Sequence, residues 1–332
     1  MRVLRMKALV TGAGAVLGQG IIKSLRQSSL ACEIVAADPN PLSAGLYWAA
    51  GAHRIPMAND PAFGESITAL IDRERPDVVL VGTDVELAWF AHNRPALEAA
   101  FDTHVIVSDP RVIAIADDKF ETARFFAEAG LHPPHSARGE DADAVARLVA
   151  AIGFPLVVKP RIGARSVGVS IVEDHDSLER ALVGRTGLVV QECVGDGDSE
   201  YTASVLVFDG EPQASIVMRR DLRDGNTYRA YVEDYPTLNA AVREFGAALQ
   251  PHGPANFQFR IDADGVPRVF EINARFSGTT PMRAMVGFNE VEMCIRKLLL
   301  GEPVRQPVPT PGVILRFLDE LFVPQARIDS VS

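Results

Sequence analysis

Cysteine is scarce in this 332-residue chain: Cys32, Cys193 and Cys294 stand far apart, odd in number and without a CxxC pair. That excludes a disulfide framework and a structural zinc site, and it makes a reduced, cytoplasmic compartment the expectation. No apolar run approaches the ~20 residues that span a bilayer. The start, Met1-Arg2-Val3-Leu4-Arg5-Met6, carries no apolar signal-peptide region. Basic residues are in deficit: 33 Lys and Arg against 43 Asp and Glu leave a net charge of −10. Neither nucleic acid nor an anionic membrane is therefore the expected partner. A small ligand is, and its anionic groups need a local basic site. There is no Gly-x-Ser-x-Gly elbow, no Gly-x4-Gly-Lys-Ser/Thr loop, no internal repeat and no low-complexity segment. His132-Pro133-Pro134-His135 has metal-like spacing, but it lies in a proline loop without an acidic or cysteine partner, so zinc is not expected there.

What is present suits a globular protein of two or three domains, with 47% hydrophobic residues for its core. Apolar runs at 7–10, 34–37, 78–81 and 104–107 read as buried parallel strands. The helical patterns at 18–27, 62–74 and 86–101 alternate with them, a doubly wound α/β layout. Thr83-Asp84-Val85-Glu86 has capping-box spacing. Asp109-Pro110 breaks the pattern and marks a boundary near 108. Helices at 119–129 and 142–152 and strands at 156–159 and 169–172 follow. From 188 onward the strands at 188–192, 201–208, 213–218, 255–261 and 267–273 predict a mostly antiparallel sheet, with helices at 237–249 and 289–300. A cleft between a small α/β lid and that larger sheet is the natural ligand site.

Four constellations could carry chemistry. Thr11-Gly12-Ala13-Gly14 with Gly18, followed by Asp38 at the end of the second strand, is a glycine turn near the dinucleotide-binding pattern; its third glycine is one residue late. In Val157-Val158-Lys159-Pro160-Arg161-Ile162-Gly163-Ala164-Arg165-Ser166-Val167-Gly168 a lysine ends an apolar strand and a glycine-punctuated loop follows. Such a loop presents backbone N–H groups to an anion, although an ordinary basic hairpin loop has the same look. A two-residue hairpin turn at Asp264-Gly265 sets Gln258 opposite Glu271 and Asn256 opposite Asn273, all on one face. Phe257, Phe259, Ile261, Phe270 and Ile272 then form the core face. Oxygen-bearing side chains on adjacent strands suit Mg²⁺, and a solvated polar face is the plain alternative. Last, Glu200 opens a strand after a polar glycine loop, either to accept ribose hydroxyls or as an exposed loop acid.

Taken in order, Asp117-Asp118-Lys119, Val157-Val158-Lys159-Pro160, Val190-Gln191-Glu192, Ser199-Glu200-Tyr201-Thr202 and Glu271-Ile272-Asn273-Ala274-Arg275-Phe276-Ser277-Gly278 resemble the ATP-grasp superfamily. Within it the chain is similar to the branch of the carbamoyl-phosphate synthase large subunit, over nearly its whole length. The resemblance implies an α/β then α+β fold. A doubly wound pre-ATP-grasp domain would span 1–108, a small lobe with a glycine-loop lid 109–187, and a large lobe with the antiparallel sheet and the metal and substrate site 188–332. It implies ATP with Mg²⁺, or Mn²⁺ in its place. Lys119 and Lys159 would contact phosphates, under a lid of residues 161–168 that includes Arg165, Ser166 and Val167. Gln191, Glu192 and Val194 would border the adenine, and Glu200 would hold the ribose. Gln258, Glu271 and Asn273 match the metal positions; many relatives carry an acid where Gln258 stands, which leaves one or two ions open. Arg275 matches an arginine that binds the carboxylate being phosphorylated. Arg219 and Arg220 are further candidates for phosphate or substrate, with Arg220 counted beside Lys159 and Arg275 as catalytic.

The implied activity is ADP-forming ligation of a small carboxylate to an amine-type or thiol acceptor through an acylphosphate. An NAD(P)-dependent oxidoreductase using Gly12, Gly14, Gly18 and Asp38 is the runner-up, and a nucleotide sensor without turnover is a third reading. These residues specify neither the acid nor the acceptor, and a homodimer is a base-rate expectation.

Overall fold

A computed structural model describes residues 6–163, 166–195 and 200–331. The chain begins with β1 (Met6–Val10), α1 (Val16–Gln27), β2 (Cys32–Asp38), a 3-10 turn (Ala44–Trp48), β3 (Gly51–Arg54), α2 (Phe63–Glu74), β4 (Val78–Leu80), α3 (Asp84–Phe101) and β5 (His104–Ile106). The strands form one parallel sheet in the order β3-β2-β1-β4-β5. Successive side chains alternate across it. Leu9, Val35 and Val79 pack with Phe63, Ile67 and Phe90 of α2 and α3, while Ala8, Val10 and Leu80 pack with Ile21, Ile22 and Leu25 of α1. Burial on both faces is why these strands read as continuous apolar runs.

Asp109-Pro110 proves to be a helix start. Asp109 accepts from the Val112 N–H (2.9 Å) and Pro110 takes the first position of α4 (Pro110–Asp117). Asp118 then caps α5 (Lys119–Glu128). The chain continues through β6 (Ser136–Arg138), α6 (Ala142–Ile152), β7 (Leu156–Pro160), β8 (Ser170–Val172), α7 (His175–Leu182) and β9 (Leu188–Glu192). These strands make an antiparallel sheet, β6-β9-β7-β8, over its own core of Val145, Leu148, Leu156, Val158, Leu178 and Val190. This corrects the placement of 188–192 in the larger sheet: β9 pairs with β7 and β6. Sheet membership is decided by partners distant in sequence, and a run of strand-like segments does not reveal it.

The last part contains β10 (Glu200–Phe208), β11 (Glu211–Arg223), β12 (Asn226–Val232), α8 (Pro236–Leu249), β13 (Gly253–Ile261), β14 (Pro267–Asn273), α9 (Thr280–Met285), α10 (Glu290–Leu300), β15 (Gly312–Leu315) and α11 (Gln325–Ile328). Its antiparallel sheet runs β14-β13-β10-β11-β12-β15. One face packs through Val205, Val217 and Phe257 onto α5 and α8 and shares a single core with the helices of the parallel sheet. Part of the other face is covered by Met282, Val286 and Phe288, and the remainder is open. No helix among the described residues is long and apolar enough to cross a membrane.

The β13–β14 hairpin differs from its expected form. Asp262 organises a longer turn: its carboxylate accepts from the Asp264 and Val266 N–H groups, and its own N–H donates to Val266 O. Ile261 therefore pairs with Pro267, one residue out of the two-residue register, and a bulge after Gln258 restores Gln258↔Glu271 and Asn256↔Asn273. Val269 takes the core position, and Phe270, expected in the core, instead lines the cleft. A second correction concerns Thr83, which stands at the N-cap of α3 but makes no side-chain capping bond. Glu86 turns inward and accepts from the Thr11 hydroxyl.

Burial pushes the Glu86 carboxyl up from its ordinary 4.5 to about 7. A raised carboxyl pKa means that the folded state binds the proton more tightly than the unfolded one. The cost of ionising Glu86 is thus absent near pH 4.5 and complete above pH 7. Glu86→Gln keeps an acceptor for Thr11 and removes that cost. Urea unfolding should show the variant more stable than wild type at pH 8, by up to about 3 kcal/mol, with the two converging at pH 5.

Candidate active site

A cleft opens between β7 and β9 on one side and the uncovered face of the six-stranded sheet on the other. Lys159, next to last in β7, projects into it while only 6% exposed. Its Nζ donates to Gln191 Oε1 of β9 at 2.7 Å and lies 5.2 Å from the Phe270 ring centre. Burial holds this lysine down at about 8, against an ordinary 10.5; the Glu271 charge partly opposes the shift and Lys119 adds to it. Lys119 leads α5, and its Nζ donates to Gly163 O at 2.7 Å. The Asp118–Arg161 ion pair (2.5 Å) and the Lys119 N–H to Arg161 O bond pin the base of the glycine loop to the same helix start. Ser166 and Val167 border the cleft, as do Glu192 and Val194. Arg165 lies outside the described residues.

The opposite wall is a hydrogen-bonded line across one sheet face. Glu200 is buried between two arginines, Arg220 on Oε1 (2.7 Å) and Arg260 on Oε2 (2.9 Å). Burial would raise its pKa, but the two guanidinium groups overcome this and hold it below the usual carboxylate value. Glu200 is thus no exposed loop acid. The same Arg220 Nη2 donates to Gln258 Oε1 (2.6 Å), and Gln258 Nε2 donates to Glu271 Oε1 (3.0 Å). Asn273 Nδ2 donates to that same oxygen (3.1 Å), and Arg275 Nη2 donates to Asn273 Oδ1 (2.7 Å). Arg275 then clasps Asp84 at the start of α3 with Nε (2.6 Å) and Nη2 (3.1 Å), joining this face to the parallel-sheet unit. Asn256 shares the face but serves the interior, accepting from Thr202 and from Arg283, itself fully buried with Glu290.

Arg219 does not belong here: one residue from Arg220, it points to the opposite face and stacks on Tyr231, 3.8 Å from the ring centre. The turn after β1 has no N–H cradle to offer from its central residues. Gly14 N–H donates to Asp38 Oδ2 (2.6 Å), Ala13 N–H to Ala37 O (3.1 Å) and Gly18 N–H to Gly82 O (3.0 Å). Asp38 also accepts from Ser43 (2.6 Å) and the Asn40 N–H (3.0 Å). The acid expected on a ribose in a dinucleotide site is spent holding the turn, and a side chain at Gly14 would collide with Ser43 and Asp38. Arg260 and Phe270 are among the cleft residues not expected from the sequence. Arg260 was within reach, because it stands two residues after Gln258 and so shares its face. Phe270 was not, because only the bulge brings it there.

Two family models match this chain: "ATP-grasp in the biosynthetic pathway with Ter operon" over residues 187–320 and "RimK-like ATP-grasp domain" over 116–244. Both models are of ATP-grasp domains, and with the relatives below they support the ATP-grasp superfamily for this chain. Within it, its relatives support the carbamoyl-phosphate synthase-like branch. It is 27% identical over 195 residues to the carbamoyl phosphate synthase large chain of Methanosarcina acetivorans, across 53% of this chain and 17% of that one. It is 34% identical over 176 residues to the formate-dependent phosphoribosylglycinamide formyltransferase of Burkholderia pseudomallei, across 53% and 41%. The chain thus spans less than half the length of either relative. The biotin carboxylase domain of Hydrogenobacter thermophilus 2-oxoglutarate carboxylase, solved with MgADP and bicarbonate, has the same fold. The TM-score is 0.73 at 19% identity, over 92% of this chain and 73% of that one.

The lowered Lys159 pKa has a measurable consequence. Between about 8 and 10.5 the unfolded chain binds the Lys159 proton and the folded chain does not, so this residue's contribution to stability rises with pH through that window. The difference in urea-unfolding free energy between wild type and Lys159→Met should shift toward wild type from pH 7.5 to pH 10.5. A difference that is flat with pH would show that the lysine is not desolvated.

Proposed function

We propose that this chain is an ATP-dependent ligase that activates a carboxylate as an acylphosphate and transfers the acyl group to an amine, with a thiol as the alternative acceptor. The observation that carries this is the unbroken line Glu200–Arg220–Gln258–Glu271–Asn273–Arg275 facing two buried lysines across one cleft. Three units underlie it. A doubly wound pre-ATP-grasp domain spans 1–108, a small lobe 109–187 and a large lobe 188–332, with β9 at the start of the third hydrogen-bonded into the sheet of the second.

In this reading Gln191, Glu192 and Val194 border the adenine, Glu200 takes the ribose, and Lys119, Lys159 and the loop carrying Arg165, Ser166 and Val167 hold the phosphates. Magnesium, when bound, neutralises phosphate charge and orients the transferring group. Among the described residues no cluster of three His, Cys, Asp or Glu could cage a metal. One carboxylate with two amides instead suits an ion that keeps waters and phosphate oxygens as its other ligands. Both amides present their NH2 groups to Glu271 here. Half a turn of each terminal amide would present oxygen instead, and would release Arg220 from Gln258 toward the transferring phosphate.

The carboxylate oxygen attacks the γ-phosphorus in line, and ADP departs with the electron pair of the bridging bond. Arg275 orients that carboxylate, while Lys159 and Arg220 stabilise charge on the transferring group. The acceptor nitrogen then attacks the acyl carbon and loses a proton, and phosphate departs. The occupied N–H groups around Gly14 count against the dinucleotide alternative, and the intact set of charged residues counts against a sensor without turnover.

Mg-ATP should raise the melting temperature and NADH should not; stabilisation by NADH alone would overturn the reading. A screen of amino acids and small acids for acid-dependent ADP release then measures turnover. Glu271→Gln should raise the Mg²⁺ requirement and lower turnover roughly ten- to a hundredfold. Arg275→Ala should leave calorimetric Mg-ATP affinity near wild type while slowing acid-dependent ADP release. An unchanged Mg²⁺ dependence in Glu271→Gln would remove the metal assignment.

A further inference from the structure

Arg316 follows β15 directly, and its N–H donates to Tyr228 O (3.0 Å), continuing the β12–β15 ladder by one residue. Its face follows from register. Arg220 pairs with Ala230 and Ala230 with Ile314, so Ile314 shares the face of Arg220, and Arg316, two residues on, shares it too. The side chain confirms this by donating through Nη2 to Gly278 O, in the segment between Arg275 and α9. Gly278 lies against Val16 at the start of α1. Arg316 therefore stands where the six-stranded sheet meets the parallel-sheet unit, the same junction at which Arg275 holds Asp84.

Among the described residues it has no counter-charge, unlike the other arginines on this face of the sheet. Arg220 and Arg260 share Glu200, Arg275 has Asp84, and Arg283 has Glu290. Arg316 is half-buried with one carbonyl acceptor and no carboxylate among the described residues, although a guanidinium carries five N–H donors in a fork. Burial without compensation lowers its pKa. A partly desolvated cation left unpaired in a chain of net charge −10 is costly unless an anion meets it in the working state.

We propose that Arg316 is a second anion-binding position, so that the acid activated here carries two anionic groups: the reacting carboxylate at Arg275 and a carboxylate or phosphate at Arg316. This rests on the carboxylate role of Arg275 given above. It also accounts for the Asp84 clasp. An incoming carboxylate must displace Asp84 from Arg275, and a simple monocarboxylate gains little from exchanging one carboxylate for another. An acid anchored at Arg316 brings a further charge-assisted contact to offset that exchange. Selection for dianionic acids follows.

The test is calorimetric titration of the whole chain, with and without saturating MgADP, using acetate, malonate, succinate, glutarate and phosphoglycolate. At least one dianion should bind wild type roughly ten- to a hundredfold more tightly than acetate. Arg316→Gln should abolish that advantage while leaving acetate binding unchanged, and Arg316→Lys should restore part of it. A preference for phosphoglycolate identifies the second group as phosphate; one for a dicarboxylate identifies carboxylate. The proposal is overturned if no dianion exceeds acetate on wild type, or if Arg316→Gln weakens acetate and dianions equally, which is the result of merely loosening Gly278. Failure to bind MgADP would count against the ligase reading alone, since the comparison of dianion with acetate is also made without nucleotide.

Discussion

A carboxylate buried between two arginines sets the geometry of the cleft. Glu200 has almost no water to solvate its charge, and Arg220 and Arg260 supply the compensation from neighbouring strands. Breaking such an arrangement by removing one partner is costly, because the remaining charge stays buried. Arg220 is thereby held in one place, and the amide of Gln258, the carboxylate of Glu271, the amide of Asn273 and Arg275 follow in sequence, each oriented by its neighbour. A line of this kind fixes where its side chains stand before any ligand arrives.

The cores explain which wall of the cleft is fixed. One hydrophobic cluster runs from the helices of the parallel sheet through Phe126 to the back of the six-stranded sheet, so these layers form one packed body. The small sheet has a separate cluster under α6 and α7. Lys159 and Gln191 thus belong to one body, and Glu200, Gln258 and Glu271 to the other. Asp84 and Arg275 close the far end within the larger body, where Arg316 also lies.

Much of the larger body is legible from sequence for simple reasons. Strands buried on both faces become apolar runs, and the alternation of Gln258 with Phe257 and Phe259 marks a sheet with one polar face. Other elements carry weak signals: β3 is a short edge strand of Gly-Ala-His-Arg, and α4 begins at an Asp-Pro pair that reads equally as a break. Arg316 was invisible as a functional residue, because nothing local distinguishes an arginine that lacks an acid from one that has found one.

The sequence by itself determined which residues could share a face, because a strand alternates with period two whatever it pairs with. It determined the order of motifs that marks the superfamily. Only the tertiary structure decided which strands became neighbours: β9 with β7, Glu200 opposite Arg260, Arg275 against Asp84 some 191 residues away. It alone decided that Phe270 faces the cleft, since that depends on one extra residue in a ladder, and that Arg316 meets no carboxylate among the described residues. Pairing and compensation are properties of contacts between distant segments, and local pattern carries no record of them.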